Sequence, residues 1–228
     1  MRRLVLFVEF AALFFAMPMA LRHLMLSGAM RWVIPILWAA SALAATWLVC
    51  GRGWTLEKFF GFAGVVKRDW LLMLLRVAAA APLLCACLWA VLKWGAPPTP
   101  APGGVMFGFV RMRPSTWAVV MLAYPLLSVV PQGVVYRALF FERYAPLFGR
   151  WAGGVAVLAF SMAHVVFNNP HALVLTLAGG AVFTWQYRKT GSLMFANVEH
   201  ALMGDLAFTV GWGLFLHAGT LAMAKGGG

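Results

Sequence analysis

Seven polar side chains lie within or beside long apolar runs in the second half of the chain: Gln132, Arg137, His164, His171, Glu199, His200 and Asp205. A charged side chain at the centre of a bilayer costs about 2.5–3.5 kcal/mol on insertion scales, so such residues turn toward protein and mark a site by default. An imidazole exchanges protons near neutral pH. His164 and His200, on separate runs, could converge on one water or one metal, and a metal usually wants a third ligand. Taken singly, either histidine is equally a hydrogen-bonded core residue. Arg137 orients an anion if it is enclosed, or snorkels if it lies at a membrane edge. His171 follows Pro170 at a helix start and reads as interfacial, as does His217 near the C-terminus.

The elements that must position these groups are apolar. Of 228 residues, 63% are hydrophobic and 11% charged, and the mean hydropathy is +0.86. A water-soluble domain carries about a quarter charged residues. Lipid must therefore solvate the surface, and in lipid only helices or closed barrels satisfy the backbone. The runs are continuous rather than alternating, which selects an all-α, polytopic bundle of about seven spans. The runs cover residues 4–21, 32–50, 70–92, 117–141, 152–167, 171–187 and 192–216, the last with a possible break at Gly204. Residues 51–69 mix aromatic and basic groups as an interfacial segment does. Residues 95–104, GAPPTPAPGG, form a loop. Organisation follows: N-terminal spans over 1–116, a core over 117–216 of the same membrane domain, and a tail over 217–228.

The net charge of +12 would suggest nucleic acid in a soluble chain. Here the basic residues sit at the ends of the runs, where anionic lipid and the positive-inside bias place them. Membrane lipids are thus the expected partner and nucleic acid is not. The larger basic set falls on the N-terminal side, which puts the N-terminus in the cytoplasm. Cys50, Cys85 and Cys87 lie in or beside apolar runs and read as packing residues, not a disulfide framework.

Residues 124–144 read YPLLSVVPQGVVYRALFFERY, residues 160–164 FSMAH, and residues 199–205 EHALMGD. In order and spacing these resemble the CAAX-protease and bacteriocin-processing family (CPBP, or Abi), intramembrane endopeptidases that include the type II CAAX prenyl endopeptidases. The resemblance covers about residues 117–215. It implies a glutamate acting as general base on water, assisted by His164 and His200, with Arg137 orienting the glutamate. Asp205 stands near the family's asparagine, an oxyanion or orienting group. The family mechanism has been argued both as metal-assisted, with zinc or another divalent ion on His164 and His200, and as glutamate and histidine alone. It also implies a bacterial inner membrane location.

The sequence departs from that pattern where the glutamate pair belongs: the residues are Gln132 and Gly133. General-base catalysis supplies typically 10²–10⁴-fold. On an α-helix, position 133 shares a face with Arg137 and position 132 is turned away by roughly 140°. Glu199 lies about 100° around the helix from His200, and Glu142 follows Arg137 by five residues. The expectation is that Gly133→Glu restores a base, with a smaller effect of Gln132→Glu, unless Gly133 serves close helix packing. Three functions remain open. One is an endopeptidase of membrane-associated peptides or proteins, active or impaired. Another is a pseudoprotease that binds such a segment uncut, and the last is a small transporter.

Overall fold

The computed structural model describes residues 1–26, 32–94 and 105–216. The expected loop at 95–104, His217 and the 217–228 tail lie outside the described residues. Among those described, every regular element is helical. Helices cover all seven expected runs. The first runs through Arg2–Ala11, a π-helical turn at Ala12–Ala16, and Met17–Leu26. Val33–Arg52 and Lys67–Trp94 are the next two long helices, with the short Leu56–Phe60 between them.

Among the described residues, four stretches are long and apolar enough to cross a membrane: Arg3–His23, Val33–Arg52, Lys67–Trp94 and Pro114–Phe167. The chain is an integral membrane protein. The fourth stretch joins two of the expected runs, with a turn at Gly149. The last two long helices, Pro170–Thr190 and Leu193–Val210, are not among the four. Their polar residues explain why. Thr176, Thr184, Gln186, Asn197, Glu199 and His200 are all buried, so these helices are solvated by protein and need less apolar character. The lipid-facing surface lies instead on residues such as Leu4, Leu43, Leu71, Leu83 and Leu122.

Lipid tails are as apolar as leucine, so packing and polar contacts rather than the hydrophobic effect hold helices together in a membrane. Phe10 and Phe14 interlock with Tyr136, Phe140 and Tyr144, joining the first helix to the segment around Arg137. At the same place Glu9 accepts from Arg143 at 2.8 and 2.6 Å and from Tyr144 at 2.7 Å. Arg76 lies one or two turns inside the third run, where a long basic side chain can snorkel to the boundary, but it turns inward. It donates to both Glu199 oxygens, at 2.6 and 3.1 Å, and to Gln186 at 2.9 Å. Lys189 binds Asp69 at 2.6 Å.

The helix Leu193–Val210 is not broken at Gly204; it runs on to Gly211. The glycine there serves packing: the Tyr124 ring lies directly against it, where any β-carbon would collide. Asn168 and Asn169 make a tight turn before Pro170. Asn168 adopts a left-handed conformation and accepts from Arg22, while Asn169 caps Pro170–Thr190 by accepting from the His171 amide at 2.9 Å.

Candidate functional site

Arg137 does not snorkel. It is 1% exposed, and its Cζ lies 5.1 Å from the Phe160 ring centroid and 5.3 Å from that of Phe183. Its Nε and Nη1 have no hydrogen-bond partner. The backbone around it is unusual. Pro125–Val129 and Val134–Tyr144 are π-helical, separated by Val130–Gly133. Pro125 and Pro131 lack the N–H that an α-helix would use, and π segments recur at functional sites. Bonding from i to i+5 widens the turn. Gln132, five residues before Arg137, is therefore carried closer to the arginine's face than the α-helical spacing implied.

His164 and His200 pack on one phenyl ring. Phe160 meets the His164 ring at 4.8 Å and the His200 ring at 5.4 Å. The helix Ala152–Ala163 ends at His164, whose φ of −91° and ψ of 0° fall in the sparsely populated bridge region where many active-site residues sit. His164 Nδ1 is 2.8 Å from the Phe160 carbonyl. A carbonyl only accepts, so Nδ1 carries the proton and Nε2 keeps its lone pair. His200 stacks on Phe183 at 4.4 Å, and its Nε2 pairs with the Tyr124 hydroxyl at 3.1 Å. Its Nδ1 is enclosed without a partner.

Against Gly133 the structure has an amide from the neighbouring helix. The Asn197 side chain fills the space a β-carbon on Gly133 would need. Asn197 is buried, and its Oδ1 has no partner. A glutamate at 133 would have to displace it, which revises the expectation that Gly133→Glu alone restores a base. Gln132 donates to Ser128 at 2.8 Å and leaves Oε1 unpartnered.

Neither Glu199 nor Glu142 is free to take a glutamate's place beside Arg137. Glu199 is fully enclosed and bound by Arg76. Glu142 accepts from Trp54 at 3.1 Å and sits 4.0 Å from Arg52. Asp205, five residues after His200, has one enclosed carboxylate oxygen without a partner. His171 binds Asn169 and packs on Phe215, in line with an interfacial place.

Among the described residues no three His, Cys, Asp or Glu side chains gather in a set able to hold a metal. The two imidazoles instead share Phe160 with the Arg137 cation, which would repel a divalent ion. These residues do not fit a protein-held zinc.

Residues 114–204 match the family model described as Type II CAAX prenyl endopeptidase Rce1-like. This segment is Rce1-like. The match spans Tyr124, Gln132, Gly133, Arg137, Phe160, His164, Asn197 and His200, and bears out the resemblance to the CPBP endopeptidases. Asp205 lies one residue beyond it. No curated protein and no solved structure matches the chain.

Tyr124, Phe183, Asn197 and Arg76 were not singled out as site residues in the sequence. Tyr124 opens the quoted 124–144 stretch, but its role needs the fold. Asn197 is three residues before His200, a spacing that shares a helix face, and that was the available signal.

Proposed function

We propose that the Rce1-like segment binds a membrane-associated peptide or protein segment at Arg137, His164 and His200, and that it is an impaired endopeptidase. The observation that carries this reading is Asn197 over Gly133, in the glutamate's place. Hydrolysis needs a group that takes a proton from water as the oxygen attacks the peptide carbonyl. An amide does not do this near neutral pH, and a glycine offers nothing. His164 Nε2, with its lone pair, is the remaining acceptor. The leaving amine would draw its proton from the same imidazole.

A second reading, a pseudoprotease that binds without cutting, is favoured by the pairing of Glu199 and Glu142 elsewhere. The chain would act in the bacterial plasma membrane with its N-terminus in the cytoplasm. The contacts of Arg52 with Glu142 and of Arg143 with Glu9 support gathering these basic residues at one end.

The test is reconstitution of the full chain in lipid vesicles with a library of acyl-anchored peptides, following retention and cleavage separately. The expected result is retention, with cleavage slower by about 10²–10⁴-fold than that of an Rce1-like enzyme carrying both glutamates. Retention with no cleavage supports the pseudoprotease, and an absence of retention refutes both readings.

A further inference from the structure

We propose that Asn197 is the side chain with which this site grips a peptide group of the bound segment. The inference rests on the peptide-binding reading above.

Three sets of unpartnered polar atoms lie in the same part of the bundle: Asn197 Oδ1, His200 Nδ1, and Arg137 Nε with Nη1. Asn197 stands against Gly133, and Arg137 follows Gly133 by four residues. His200 follows Asn197 by three, on the same face of Leu193–Val210. The Arg137 guanidinium and the His200 ring both lie on Phe160 and Phe183. An enclosed polar group left unpaired is destabilising. Several together in an otherwise packed interior mark a place that a polar ligand completes.

The chemistry of that ligand follows from the amide. A peptide unit presents one N–H and one C=O. A primary amide presents the converse, with Oδ1 accepting and Nδ2 donating. Asn197 can therefore hold a peptide group at two points and set the register of an extended chain. An ionised glutamate only accepts and could hold the N–H alone. Exchanging a glutamate at 133 for glycine, with asparagine at 197 filling the space, turns the seat of a base into an amide clamp.

The experiment uses the full chain in vesicles of phosphatidylethanolamine and phosphatidylglycerol. The acyl-anchored peptide that wild type retains most tightly is remade with each backbone amide in turn replaced by an ester. One ester position is expected to weaken wild-type retention about tenfold. Asn197→Leu is expected to bind the all-amide peptide about tenfold more weakly and to lose sensitivity to that ester. Asn197→Ala, which adds no bulk, repeats the comparison if the leucine variant does not fold. An ester scan with no effect on wild type, or an unchanged ester response in the Asn197 variants, overturns the inference alone. A wild type that retains no peptide overturns the peptide-binding reading and this inference with it.

Discussion

The Arg137 guanidinium and the His200 ring rest on the same two aromatic residues, Phe160 and Phe183, while among the described residues the Nε and Nη1 of the arginine have no partner. The aromatic faces attract the cation, and such contacts are worth about 2 kcal/mol when desolvated. They do not replace the hydrogen bonds that Nε and Nη1 lack. Arg137→Met removes an uncompensated buried charge at similar length. A buried charge left without a counter-ion is strongly destabilising, so its removal is expected to stabilise. The variant is expected to unfold at a higher temperature in detergent than wild type and to lose peptide retention. A lower melting temperature would show that the aromatic cage already satisfies the cation.

The base should be restorable from the opposite helix. Asn197→Asp changes the side chain little in size and places a carboxylate in the volume above Gly133. It is expected to raise cleavage of acyl-anchored peptides at least about 10²-fold. Gly133→Glu alone is expected to fold poorly or stay inert because Asn197 blocks it, whereas Gly133→Glu with Asn197→Ala should cleave. Turnover by Gly133→Glu alone, equal to that of the double variant, would show that Asn197 yields freely.

Tyr124 holds His200 through Nε2 and packs on Gly204 of the same helix. Tyr124→Phe removes one hydrogen bond, a loss of about 1 kcal/mol, and keeps the ring contact. Gly204→Ala forces the whole ring away. Cleavage by the Asn197→Asp protein is therefore expected to fall modestly with Tyr124→Phe and severely with Gly204→Ala. Equal effects, measured as kcat/KM, would argue that the hydroxyl and not the ring matters.

Arg76 and Glu199 form a part-buried pair in which the carboxylate is fully enclosed and the arginine side chain is 25% exposed. Removing one partner of a fully buried pair costs about 3–5 kcal/mol, an upper bound here, while replacing both by apolar groups is often neutral. Arg76→Met is expected to lower the unfolding midpoint strongly, and Arg76→Met with Glu199→Leu to recover most of it. A single variant as stable as wild type would mean that water or Gln186 carries the carboxylate.

The helices were legible because apolar runs of nearly twenty residues have few alternatives, and all seven runs are helical. The enclosure of Arg137 and the packing of both histidines on Phe160 agree with the reading from intramembrane polar residues. The relation of Gln132 and Gly133 to Arg137 was less legible, since angles drawn at α pitch do not describe the π-helical Val134–Tyr144. Asn197 was missed because its meaning depends on a glycine in another helix. The inward turn of Arg76 was not legible for a similar reason: its partner is 123 residues away, and no local pattern announces such a pair.

The long reach of these contacts has a consequence for how the protein is made. Glu9, Arg76 and Asp69 find their partners 134, 123 and 120 residues later in the chain. During synthesis the early helices reach the membrane while the residues that neutralise them are still untranslated. Each such charge costs about 2.5–3.5 kcal/mol if it enters the bilayer centre alone. The first and third long helices must then wait at the translocon or the lipid boundary, and their final seating is timed by the arrival of Arg143, Lys189 and Glu199.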